Sequence, residues 1–160
     1  MRRLSYALAL AAVILTLTCV AACAPLGPPS TVYGDGGGVV HAYVLRAAAS
    51  RSSARVLVLD GVCASACVVW FDRARPNACV TRQSTFRFHM MTTTWANGTT
   101  KVSDRTAHFH SPDIAAWVAS RGGAPRDGWL DMTGAEAIDG GYWRECAGAR
   151  RFPTLVRKRR

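Results

Sequence analysis

Between Val39 and Ala49 the apolar residues Val40, Tyr43, Val44 and Ala47 fall at i, i+3, i+4 and i+7, the buried face of a helix. A short strand at Thr31–Tyr33 and the glycine-rich stretch Gly34–Gly38 precede it, and Ser50–Ser53 breaks it off. Arg55–Asp60 is a continuous apolar run, the pattern of a parallel strand covered on both faces, and Gly61 is expected to turn the chain. Ala64–Arg75 reads as a buried helix stopped by Pro76-Asn77, followed by strands at Cys79–Thr81 and Ser84–Met90. Thr92–Asp104 is polar around Asn97-Gly98 and reads as a mobile loop. Ser111-Pro112 supplies an N-cap and a first-position proline for a helix that buries Ile114, Trp117 and Val118 and ends at Gly122-Gly123. Thr133 and Glu136 have capping-box spacing for a last short helix. Strands alternating with helices predict an α/β fold, a mainly parallel sheet flanked by helices.

The front of the chain has a different pattern. Met1-Arg2-Arg3 is basic, Leu4–Ala22 carries no charge, and Pro25, Pro28 and Pro29 follow. That order is the order of a secretory signal; a permanent membrane helix is the rival reading, since the run is close to spanning length. Val20-Ala21-Ala22-Cys23 resembles the bacterial lipobox, which implies lipidation of Cys23 and export to the periplasm as a membrane-anchored lipoprotein. Simple cleavage near Ala24 is the alternative. The expected organisation is residues 1–23 as signal peptide with lipobox, 24–33 as linker and short strand, 34–149 as the folded domain, and 150–160 as a basic tail.

Of 160 residues, 20 are Lys or Arg and 10 are Asp or Glu. The excess sits at the ends: Arg150–Arg160 holds six basic residues and no acid, and without those and Arg2 and Arg3 the remainder is 12 against 10. The domain is therefore nearly neutral. The tail suits an anionic membrane surface beside a lipid anchor. A nucleic-acid partner is not expected, because no stacking-aromatic motif accompanies the basic cluster.

Beyond the signal lie Cys63, Cys67, Cys79 and Cys146. An even count in an exported domain favours disulfides, with three pairings open. His108 and His110 form His-x-His in a strand-like stretch, but no third ligand is found, so they read as surface histidines and no metal site is expected. Trp117 reads as core. Trp129 and Trp143 read as closing a core rather than holding a ligand, and Trp95 as a loop anchor or part of a substrate lid.

In α/β sheets ligands gather at the carboxyl ends of strands. The glycine loop, Ser65 just after the second strand, and His89 near the end of a later one all fall there. A serine at a helix start next to a histidine can act as nucleophile and base, and neighbouring N–H groups can hold an oxyanion. The string Gly61-Val62-Cys63-Ala64-Ser65-Ala66-Cys67, with Phe88-His89 following and Gly37-Gly38-Val39 preceding, resembles the Clp protease/crotonase superfamily. It is most like small exported bacterial proteins carrying Gly-x-Cys-x-Ser-Ala-Cys. The resemblance runs over roughly Gly34 to Cys146. It implies Ser65 as nucleophile, His89 as general base and the backbone N–H groups of Ala66 and Gly38 as oxyanion donors. For the third acid, Asp131 is the first choice, with Asp127 and Asp139 open. The Gly-x-Ser-x-Gly elbow of α/β-hydrolases is absent, because Cys63 and Cys67 stand at its glycine positions. The family's first strands have no room before Gly34, so its sheet would be truncated at the N-terminal side or completed by a second copy in a homo-oligomer.

The expected function is that of an exported serine hydrolase of the cell envelope, cleaving a peptide or related acyl bond without a cofactor. The alternative is a non-catalytic envelope lipoprotein that keeps the fold for binding or structure.

Overall fold

The computed structural model describes residues 29–147. The signal run, the lipobox Cys23 and the basic tail lie outside the described residues. Among the described residues, eight strands and four α-helices occur in the order β1 (Ser30–Asp35), α1 (Val40–Ser52), β2 (Leu57–Ala64), α2 (Ala66–Arg73), β3 (Ala78–Val80), β4 (Thr85–Phe88), β5 (Met91–Thr94), β6 (Thr100–Ser103), a 3₁₀ turn (Arg105–Phe109), α3 (Pro112–Ser120), β7 (Leu130–Thr133), α4 (Gly134–Asp139) and β8 (Arg144–Glu145).

The main sheet is mixed and curled around β2. Its order is β7-β4-β2-β3-β8, and β1 also pairs with β2. Every pairing is parallel except β4 with β7. The apolar run that predicts β2 continues through Gly61 to Ala64, so Gly61 does not turn the chain. Instead, β1 shifts register there: Val32 pairs with Leu59 and Gly34 with Val62, so β2 carries one extra residue. This bulge bends the strand. A side chain at position 61 is impossible, because its Cβ would lie 1.8 Å from the Tyr33 carbonyl oxygen. Before the bulge β2 pairs with β3 through Leu57–Leu59, and after it with β4 through Val62–Ala64. The bulge thus sends the end of β2 toward the site.

Only one face of β2 is fully covered. Leu57, Leu59 and Cys63 are buried in the core, whereas Val62 is 39% exposed on the other face. The expectation of a strand sandwiched on both faces is corrected accordingly. The core joins Tyr43 of α1, Phe71 of α2, Phe86 and Phe88 of β4, Ile114 and Trp117 of α3, Met132 and Trp143. Phe86 and Trp143 stack with centroids 4.2 Å apart, so Trp117 and Trp143 do close the core.

Two other expectations change. The polar stretch after His89 is not a loop: β5 and β6 form an antiparallel hairpin, Met91 opposite Ser103 and Thr94 opposite Thr100. Four β-branched threonines there favour extended backbone, which the polarity of the segment masks. His110 is not a surface residue. Its side chain is 2% exposed and its Nδ1 lies 3.2 Å from the Asp72 carboxylate; His108 is exposed.

Asp72 is the hub of a buried polar network. Its side chain is fully buried and accepts from the Ser111 N–H (2.8 Å), the Ser111 hydroxyl (2.7 Å) and Arg75 Nε (2.9 Å). Arg75 also reaches Asp113 on α3 and the Tyr142 carbonyl. Ser111 therefore caps its helix without a side-chain bond to it, its hydroxyl being turned to Asp72. In contrast, Thr133 caps α4 as its spacing predicts, accepting from the Glu136 N–H at 3.1 Å.

Burial raises the Asp72 pKa, but bonds from His110 and Ser111 and the charge of Arg75 outweigh it and leave the pKa below its ordinary value. A carboxylate shifted this way stabilises the fold above its unfolded pKa and loses that contribution as pH falls through the folded value. Asp72→Ala should cost about 3–5 kcal/mol in urea unfolding at neutral pH, because Arg75 and Ser111 lose a buried partner. The deficit relative to wild type should shrink on acidification below about pH 4.

Candidate active site

Ser65 sits between the last residue of β2 and the first of α2, with φ 56° and ψ −125°. It is the one non-glycine residue with positive φ among the described residues. A β-strand entering a helix with no linking loop forces this sharp turn, and the conformation costs of order 1–3 kcal/mol unless its surroundings impose it. They do. The Ser65 N–H donates to the Arg87 carbonyl at 2.8 Å, and its own carbonyl accepts from the Val68 N–H at 2.9 Å. Cys63 and Cys67, both fully buried, form a disulfide across the turn, with Cα atoms 5.3 Å apart. The second disulfide, Cys79–Cys146, ties β3 to the segment after β8.

The turn has the shape of a nucleophile elbow, achieved without its glycines. Residues two before and two after the serine approach closely in such a turn; glycine tolerates that approach, and here two cysteines convert it into a bond. The Ser65 side chain makes no capping bond to its own helix. Its Oγ lies 2.7 Å from Nε2 of His89, one residue beyond β4. The parallel pairing of β2 and β4, with Ala64 opposite Arg87, brings the two residues together across 24 positions of sequence. A bond in which the hydroxyl donates to Nε2 requires the neutral ring with its proton on Nδ1. Burial lowers the His89 pKa and so favours that neutral form.

The Trp129 ring meets the His89 imidazole edge to face, centroids 4.7 Å apart. Trp129 is 46% exposed, so it does not close the core as its sequence context suggests; it forms a wall of the site. Ser65 and His89 open into a cavity of about 730 Å³ lined also by Gly36–Gly38, Val39, Val69, Met91–Thr94 and Phe109. Size and apolar walls suit an organic ligand. Trp95 is exposed beside the hairpin turn and does not line this cavity.

Both sequence-predicted backbone donors lie at the cavity. Ala66 is the first residue of α2, where an N–H has no helical acceptor, and Gly38 is in the loop over the elbow. The carboxylates are placed elsewhere. Asp131 pairs with Arg87 on the neighbouring strand at 3.3 Å, half exposed. Asp139 pairs with Arg82 on the surface, and Asp127 is exposed in the bend before β7. The geometry thus brings Ser65, His89, Ala66 and Gly38 together and directs Asp131 to Arg87, because antiparallel pairing sets Asp131 opposite Arg87 rather than opposite His89. Sequence reasoning misses Trp129, Phe109 and the hairpin as parts of the site. Each reaches it through a tertiary contact with no local signature.

No protein-family model matches this chain, and no curated protein matches it.

Two outcomes check this arrangement. Asp131→Asn should change the rate at which an active-site serine phosphonate labels Ser65 by less than about threefold, because Asp131 is committed to a half-exposed ion pair with Arg87 and such a pair contributes little. In a pH series of the same rate, the acid limb should have its midpoint below 6.5: the lowered His89 pKa keeps the base neutral to lower pH than an ordinary histidine.

Proposed function

We propose that this chain is a serine hydrolase of Clp/crotonase type that cleaves a peptide or related acyl bond. The observation that carries the proposal is the 2.7 Å contact between Ser65 Oγ and His89 Nε2 at a strained elbow opening into a cavity. A serine held this way would cost stability with no return if it were only a helix cap, and it makes no capping bond.

In this mechanism Ser65 Oγ attacks the substrate carbonyl while His89 Nε2 takes the hydroxyl proton. The negative charge that develops on the carbonyl oxygen is met by the N–H groups of Ala66 and Gly38. Collapse of the tetrahedral intermediate expels the leaving group, which receives the proton from His89. Water then attacks the acyl-serine with His89 again as base, and Ser65 is regenerated.

Two disulfides fit an oxidising compartment outside the cytosol. Among the described residues no helix is long and apolar enough to cross a membrane. We place the domain in the periplasm, anchored through lipidated Cys23, with the basic tail on the lipid surface. One observation favours the second reading, a non-catalytic lipoprotein: Asp131 is engaged by Arg87.

The two readings separate with an active-site serine phosphonate. The wild-type chain should be labelled on Ser65, and Ser65→Ala should not be labelled at all. His89→Ala should slow labelling at least about a thousandfold. Labelling that persists in Ser65→Ala, or a wild type that resists the probe, would sink the hydrolase proposal.

A further inference from the structure

Three successive glycines, Gly36–Gly38, follow β1 and give the loop over the elbow wide backbone freedom. An oxyanion donor is useful only if it is already aimed when charge develops. Something must therefore hold this loop still. The close approach of Gly37 shows how tightly it is held: at φ 84°, a Cβ there would fall 2.6 Å from the Ala64 carbonyl oxygen, 2.7 Å from Ser65 Cβ and 2.9 Å from the Ala66 nitrogen. The backbone of Gly37 lies directly on the elbow.

The clamp is the side chain within the loop. Asp35 Oδ1 accepts from the Gly37 N–H at 2.8 Å and from the Tyr43 hydroxyl at 2.5 Å. The first bond fixes the loop from the end of β1; the second ties the same oxygen to α1 on the other side of the loop. Arg46 completes the arrangement, 3.6 Å from Asp35 Oδ2 and 4.6 Å above the Tyr43 ring. Tyr43 itself is 6% exposed. Burial first, and then the neighbouring carboxylate, raise its pKa, so it stays a hydrogen donor.

We infer that Asp35 and Tyr43 are positioning residues for acyl transfer: they lock Gly37 against the Ser65 elbow and so aim the Gly38 N–H at the oxyanion. The inference rests on the reading of Ser65 as nucleophile. Neither side chain is placed to touch the reacting atoms; each acts through the loop backbone.

The phosphonate probe tests it in the full chain, with the maximal labelling rate (kinact) and half-saturating concentration (KI) measured separately. Asp35→Ala should lower kinact about tenfold to a hundredfold, part of what loss of a whole oxyanion donor costs, with KI and the pH midpoint unchanged. Asp35→Asn, which keeps an acceptor for the Gly37 N–H, should recover most of the rate. Tyr43→Phe should fall between and supplies the answer even if Asp35→Ala does not fold. Wild-type kinact in Asp35→Ala or in Tyr43→Phe would overturn the inference, as would an equal loss in Asp35→Asn and Asp35→Ala or a change confined to KI. A wild-type chain that is not labelled on Ser65 would instead remove the nucleophile, and this role with it. The wild-type reaction alone tells that failure from the others.

Discussion

The geometry of the site depends on the backbone of Ser65, turned into a left-handed conformation between a strand and a helix. A serine left to itself does not stay there. It is held by a main-chain bond to Arg87, by the first turn of α2, by the disulfide between Cys63 and Cys67, and by Gly37 lying across it. The helix turn and the disulfide act from residues flanking Ser65, while Arg87 and Gly37 act from other elements, so the strain is absorbed by the fold rather than by one neighbour. The hydroxyl is then presented to His89 and to the cavity instead of to its own helix.

The helix that follows is pinned at its far end as well. Asp72, in its last turn, gathers His110, Ser111 and Arg75 in the interior, and Arg73 donates from its Nε to the Phe109 carbonyl at 2.9 Å. Phe109 lines the cavity. One short helix therefore follows directly on Ser65 at its start and holds a wall of the cavity at its end. A buried charge network is a costly way to join two helices. Here it holds His110, the residue next to Phe109 in the chain.

Much of the scaffold is legible along the chain. The helical period of Val40, Tyr43, Val44 and Ala47, the apolar run of β2 and the Thr133–Glu136 capping spacing each correspond to an observed element. Where the prediction departs from the structure, a local signal is overruled by pairing. Gly61 looks like a turn but is a bulge, because Tyr33 needs the space where its side chain would be. The polar Thr-rich segment looks like a loop but is a hairpin, since each of its strands finds a partner in the other. His110 looks exposed but is drawn inside by a carboxylate 38 residues away.

The amino-acid sequence by itself determined the α/β pattern, the serine at a strand–helix junction, the histidine at the end of a later strand, and the even set of cysteines. These follow from near-neighbour spacing, which is local physics. Only the tertiary structure decided which cysteines pair, that Asp131 meets Arg87, that Trp129 stands against His89, and that Asp35 and Tyr43 close on Gly37. Those outcomes are set by strand register and by the curl of the sheet, which bring together residues far apart in the chain, and no short stretch of sequence encodes where such partners will meet.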